Sequence, residues 1–265
     1  MTPLSRLLAG ALLASVLALA AHRAQALSRS GSVAAIVVGA AACAAGWGWA
    51  AVLLAFFFSS SLLSRWRRAR KEAATRSTIQ KAGARDAWQV MANGGVFALA
   101  AAGQALHGDA RWSAVGLGAL AAATADTWAT EVGTAIGGVP RRVFGWERAA
   151  PGTSGAVTLA GTLAMCAGAI FLGTAALAAG FPLWTAAPVM AGGIGGALAD
   201  TLAGATVQER RACPTCRSAT ERRVHDCGTA TTRTGGIAGM DNDAVNLTSC
   251  IAGGVLALSW WSVTR

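Results

Sequence analysis

Charge is what this sequence has least of. Aspartate, glutamate, lysine and arginine together make up 13% of its 265 residues, hydrophobic residues make up 54%, and the mean hydropathy is +0.48. Soluble domains carry about 25% charged residues, so the composition excludes an ordinary soluble protein and implies an integral membrane one. Tyrosine is absent and no alternating apolar–polar strand pattern recurs. The spanning elements are therefore expected to be helices, the open-ended structure that satisfies its own backbone in lipid. The P-loop consensus G-x-x-x-x-G-K-[ST] is missing, and so is the twelve-residue EF-hand loop with its glycine and closing glutamate.

What is present is a series of apolar segments of spanning length near 4–21, 32–58, 88–106, 112–137, 153–179, 184–206 and 241–262. They predict an all-α, polytopic transmembrane bundle of about seven helices, forming a single domain over 1–265. The first segment also resembles a signal peptide, with Arg6, an apolar stretch and then Ala24-Gln25-Ala26, but it is read as a retained helix. Cleavage there would leave six helices and the orientation of the others unchanged.

Orientation follows from the basic residues. With seven helices, one set of loops holds 18 of the 22 lysines and arginines: Arg6, eight between Arg65 and Arg85, three between Arg141 and Arg148, and six between Arg210 and Arg233. The other set holds Arg23, Arg29, Arg111 and Arg265. The expectation is an amino terminus in the cytoplasm, a carboxyl terminus outside, and a bacterial inner-membrane protein whose site faces the cytoplasm. Orientation alone accounts for most of the +10 charge, so nucleic acid is not required as a partner.

Against this apolar background the polar residues stand out. In A-D-T-W-A-T-E, Asp126 and Glu131 lie within apolar sequence, where an ionised group costs several kcal/mol unless it is partnered or faces a polar cavity. In a regular helix the two point about 140° apart, so either the glycine-rich helix end unwinds or one of them serves another purpose. R-D-A-W-Q-V-M-A-N-G-G places Gln89 and Asn93 on one helix face behind Arg85, suited to an interhelical hydrogen bond or to a ligand. P-G-T-S-G-A-V-T reads as a helix start at Pro151, with Thr153 and Ser154 as caps or as part of a phosphate seat, and Arg141, Arg142 and Arg148 nearby.

Farther on, Gly192, Gly196, Asp200 and Gly204 recur at intervals of four, a stripe that favours close helix packing, with an aspartate inside it that needs a partner. D-N-D-A-V-N concentrates Asp241, Asn242, Asp243 and Asn246 into about one turn, more oxygen ligands than a cap requires, and Mg²⁺ is their simplest use. The cytoplasmic loop 207–240 holds Cys213, Cys216, His225 and Cys227. In a reducing compartment these suit zinc better than a disulfide, although a single C-x-x-C makes the pattern a modest one. Cys43, Cys166 and Cys250 lie in apolar segments and read as packing residues.

The predicted topology brings Asn93, Asp126, Glu131, Thr153, Asp200, Asp241, Asp243 and Asn246 to the cytoplasmic ends of their helices, which implies one cavity open to the cytoplasm and bounded by lipid. Carboxylates there point to a divalent cation, and the surrounding arginines to a polyanion. That pairing is the chemistry of phosphoryl or nucleotidyl transfer.

Taken in chain order, R-D-A-W-Q-V-M-A-N-G-G, A-D-T-W-A-T-E-V-G, P-G-T-S-G-A-V-T, G-G-A-L-A-D-T-L-A-G-A-T-V-Q and D-N-D-A-V-N resemble the integral membrane family catalogued as domain of unknown function 92, whose plant members include the phytyl-phosphate kinase of tocopherol synthesis. The resemblance implies a helical bundle related to polyprenol kinases and CDP-lipid synthases. It also implies Mg²⁺-dependent transfer from a nucleoside triphosphate, CTP or similar, to an isoprenoid monophosphate such as phytyl phosphate, giving the diphosphate. Under that reading Asp126, Asp200, Asp241 and Asp243 are the candidate metal ligands, and Asp126, Glu131, Asp200, Asp243 and Asn246 the candidate catalytic group. Arg85, Gln89, Asn93, Arg141, Arg142, Arg148, Thr153, Ser154 and Asn242 are the candidates for holding phosphates. Ser154 stands where the family pattern leads one to expect an acidic or amide residue. The alternatives are a CTP-dependent cytidylyltransferase making a CDP-lipid, and a transporter of an ion or phosphorylated solute.

Overall fold

The computed structural model describes residues 2–75 and 83–264. The chain is built of helices, and it belongs to the all-α membrane class. Its helices are α1 (Pro3–Arg23), α2 (Arg29–Ala45), α3 (Trp47–Arg65), the short α4 (Arg68–Thr75), α5 (Ala87–His107), α6 (Ala110–Ile136), α7 (Leu159–Ala178), α8 (Ala186–Thr206) and α9 (Asn242–Val263). By length and hydropathy alone, α1, α3, α7, α9 and the run Leu183–Thr206 that contains α8 can each cross a membrane.

One expected helix is two. The stretch 32–58 breaks at Gly46, whose φ of 151° and ψ of 161° are open essentially to glycine alone, and the chain turns there between α2 and α3. The described residues therefore hold eight helices of 17 residues or more where seven were expected. The extra element also changes which helix ends lie together. Arg6 approaches Gly46, Gly48 packs on the carbonyl of Ala179 after α7, and Trp184 before α8 faces Trp261 near the end of α9 with ring centroids 6.3 Å apart. The start of α1 and the end of α9 thus share one end of the bundle. At the other end Ser28 N donates to Arg85 O at 2.9 Å, Arg65 Nη2 to Ala24 O at 3.1 Å, and Arg67 and Arg70 to the carbonyls of Ala135 and Ile136. Arg23 and Arg29 join the basic end, and Arg6 leaves it, so the charge asymmetry sharpens.

The centre is α6, α8 and α9, and glycine sets their spacing. A Cβ on Gly192 would lie 2.5 Å from Gly253 O, and one on Gly196 would lie 2.4 Å from Ala122 Cβ. The stripe on α8 is a helix-packing face, as the spacing suggested. Around this core Trp49, Phe97, Leu117, Leu120, Leu172 and Val189 are buried where α3 and α5 close on α6, α7 and α8.

Two small sheets close the basic end. β1 (Arg141–Arg142) pairs antiparallel with β2 (Ala156–Val157), and β3 (Arg210–Ala212) runs between β4 (Ala219–Thr220) and β5 (Thr232–Gly235). The first of these corrects the expected helix start at Pro151. Gly152 and Gly155 have φ of 80° and 71°, the strand follows, and α7 begins only after Thr158, whose side chain accepts from Gly161 N at 3.0 Å.

Candidate functional site

A cavity of about 600 Å³ opens at the basic end, where α5, α6, α8, α9 and the 151–158 turn meet. Each helix contributes the polar residues that its apolar sequence isolated. Gln89 and Asn93 come from α5, Asp126 and Thr130 from α6, Asp200 and Thr201 from α8, and Asn242, Asp243 and Asn246 from α9, beside Asp241. Thr153 and Ser154 reach the same space from the turn.

Several of these side chains also hold their own helix. Asp86 and Gln89 form a reciprocal capping box, and Asn93 Nδ2 donates to Gln89 O at 3.0 Å. Asp241 caps α9 by accepting from Ala244 N at 3.1 Å. These bonds leave cavity-facing surface on each residue while fixing its position.

Asp126 and Asp200 differ from these. Among the described residues neither Asp126 nor Asp200 is in an ion pair. The two lie close enough to interact electrostatically, and Asp200 Oδ2 is buried with no hydrogen-bond partner. A further carboxylate, which sequence reasoning missed, is Glu221 just after β4. It interacts electrostatically with Asp200 and with Asp241, and its Oε1 accepts from Ser154 Oγ at 2.5 Å and Gln208 Nε2 at 3.0 Å. Burial pushes its pKa above the ordinary value, and the hydrogen bond from Ser154 acts against that shift. In sequence Glu221 sits in T-E-R-R, indistinguishable from a solvated loop charge. It places a carboxylate directly on Ser154, the position where an acidic or amide residue was expected.

Glu131 has other partners. α6 is regular through Ile136, so Glu131 turns away from Asp126 toward α3 and α4. There it accepts from Ser64 Oγ at 2.6 Å and forms an ion pair with Lys71, whose Nζ also donates to the carbonyls of Leu63 and Ser64 at 2.7 and 2.9 Å. Arg85 stands beside them, its Nη2 3.5 Å from Ser64 Oγ. Burial lowers the pKa of this guanidinium below its ordinary value, and Glu131 acts the other way. Arg85, Thr130, Glu131 and Thr134 form a wall shared with a second cavity of about 600 Å³, lined by Arg65, Arg68, Lys71 and Arg222 and by Glu72, which pairs with Arg68.

Arg141, Arg142 and Arg148 are not brought to either cavity. Arg141 and Arg142 form β1, Arg141 Nη1 donates to Trp146 O at 2.9 Å over the indole, and Arg148 is exposed. Outside both cavities, Cys213, Cys216, His225 and Cys227 are gathered in the 207–240 loop, with one ligand atom of each within 4.8 Å of the others.

Residues 12–254 match the family described as integral membrane protein DUF92. The chain belongs to that family. A DUF92 relative from Arabidopsis thaliana, Protein PGR, is 28% identical over 278 residues, covering 94% of each chain. An uncharacterized membrane protein of Methanocaldococcus jannaschii is 31% identical over 152 residues, covering 56% of this chain and 51% of the archaeal one. No solved structure matches. This DUF92 protein therefore has an integral membrane setting.

Proposed function

We propose that this protein is a phosphotransferase that moves a phosphoryl group from a nucleoside triphosphate, CTP or similar, to an isoprenoid monophosphate such as phytyl phosphate. The observation that carries the reading is the convergence of Asp126, Asp200, Asp243 and Glu221, from three helices and a loop, on one cavity beside a basic one. Asp126 and Asp200, buried with no ion pair among the described residues, call for a cation, and arginine-lined space calls for polyanions.

Mg²⁺ fits the residues present. The donors are carboxylate and amide oxygens, the hard ligands that magnesium takes, and Asp200 Oδ2 is a buried acceptor with no partner. Asp126, Asp200, Asp241 and Asp243 would hold the ion, which when bound neutralises charge on the donor phosphates. Asn93 and Asn246 orient phosphate oxygens, and Arg85, on the shared wall, screens the charge between donor and acceptor. An oxygen of the acceptor monophosphate forms the new P–O bond to the γ-phosphorus, the bond to the bridging oxygen breaks, and the nucleoside diphosphate leaves. The acceptor is already anionic, so no side chain has to take a proton. Glu131 serves by fixing the wall through Lys71 and Ser64. The basic end faces the cytoplasm by the positive-inside asymmetry, in a bacterial case across the inner membrane.

The test is direct. Purified protein supplied with phytyl, geranylgeranyl or farnesyl monophosphate and CTP or ATP should form the diphosphate, and Asp126→Asn should reduce the rate by about 10²-fold or more, the scale of losing one electrostatic stabiliser. Normal turnover in that variant would remove the metal assignment. Pyrophosphate release with a CDP-lipid product would instead establish the cytidylyltransferase reading, and ligand flux in proteoliposomes with no covalent product would establish the transporter.

A further inference from the structure

The 207–240 loop holds a constellation that phosphoryl transfer does not use. Cys213 and Cys216 flank the C-P-T-C turn after β3, where Cys216 N donates to Cys213 Sγ at 3.4 Å and Arg217 N to Cys213 O at 2.9 Å. Arg217 takes a positive φ of 54° to close that turn. A second turn faces it. His225 N donates to Thr229 O at 2.9 Å, Gly228 N to His225 O at 2.8 Å, and Gly228 takes a φ of 81°. The two turns point His225 Nδ1 and three sulfurs at one point.

Two of its distances match a tetrahedral site. With Zn–S near 2.3 Å and Zn–N near 2.05 Å, tetrahedral ligands stand about 3.8 Å apart for two sulfurs and about 3.5 Å for sulfur and nitrogen. Cys213 Sγ and Cys227 Sγ are 3.6 Å apart, and His225 Nδ1 is 3.3 Å from Cys227 Sγ. The other ring nitrogen is held as well, with Ser218 Oγ 3.1 Å from Nε2, the outer contact that fixes the ring of a metal-ligating histidine. All six cysteines of the chain are free, and a thiol cluster around a histidine gains little as hydrogen bonds alone.

We infer that Cys213, Cys216, His225 and Cys227 form a Cys₃His zinc site that pins the 207–240 loop and thereby holds Glu221 over the carboxylate cavity. The connection is short. The first turn joins β3 to β4, Thr220 of β4 is buried, and Glu221 follows it onto Ser154 and Gln208. From the other side Thr231 Oγ1 donates to Arg222 O at 2.5 Å, so the two knuckles clasp the segment that carries Glu221. The zinc assignment does not depend on what the cavity transfers, because none of the four ligands lines it.

Full-length protein, expressed without a metal-binding tag and purified in detergent without chelator, should contain one zinc per chain by elemental mass spectrometry. Chelator-stripped protein reloaded with Co²⁺ should show the intense visible absorption of a tetrahedral thiolate site. Cys213→Ser with Cys216→Ser should lose both signals, while Cys166→Ser keeps them. Removing zinc should increase proteolysis within 207–240 several-fold, and restoring zinc should reverse it. A wild-type chain that is metal-free and gives no cobalt spectrum, or one that carries a Cys213–Cys227 disulfide instead, would overturn the site. Unchanged proteolysis on zinc removal would overturn the pinning role.

Discussion

Asp126 and Glu131 are five residues apart in one helix, and the regularity of that helix gives them different work. Asp126 lines the cavity together with Asp200, whereas Glu131 neutralises Lys71, a lysine that is 8% exposed. Removing one partner of such a pair leaves the other charge buried. Glu131→Gln should therefore lower stability by about 1–3 kcal/mol, since Lys71 keeps only its bonds to two carbonyls. The double change Glu131→Leu with Lys71→Met should recover most of that loss, as thermal melts in detergent will show. Equal melting of wild type and Glu131→Gln would contradict the pairing. The helical angle between the two acids was legible in the sequence, but Lys71, in the run R-W-R-R-A-R-K-E, gave no sign that it differed from its solvated neighbours.

Among the elements, α6, α8 and α9 approach through glycine. Gly196 has no room for a methyl group beside Ala122 Cβ and Ser249 O, and Ser249 Oγ donates to Gly196 O at 2.8 Å. Gly196→Ala should cost about 1–3 kcal/mol by forcing the helices apart, read as a lower melting temperature and as weakened convergence of Asp200 with Asp126. Gly195→Ala, which meets only the flexible end of Leu256, is the milder companion on the same turn. The stripe was visible in the sequence because close helix contact has a period of four. The break at Gly46 and the delayed start of α7 were not, because A-A-G-W-G-W-A and P-G-T-S-G-A-V-T are each compatible with a helix until strand pairing or a neighbouring backbone selects another conformation.

At the scale of the whole molecule, the extra helix moves the start of α1 to the same end as the close of α9, opposite the basic loops. Reporter fusions at residue 2 and after Val263 should report the same side of the membrane, and a reporter inserted in the 141–148 loop the other side. Opposite sides for the two ends would return the count to an odd number of crossings. The same arrangement makes the carboxylate cavity composite: α5, α6, α8 and α9 each supply lining residues, and the segment after β4 supplies Glu221.

Composition and hydropathy by themselves determined the membrane setting and the helical class, because lipid admits few other ways to satisfy a backbone. The isolated acids marked most of the cavity for the related reason that an ionised group in apolar sequence is costly without a purpose. Only the tertiary structure decided which acids share a space. Glu131 went to Lys71, Glu221 came from a loop that reads as solvated, and Arg141, Arg142 and Arg148 stayed outside. These are distances between separate helices and loops, and local pattern does not encode them.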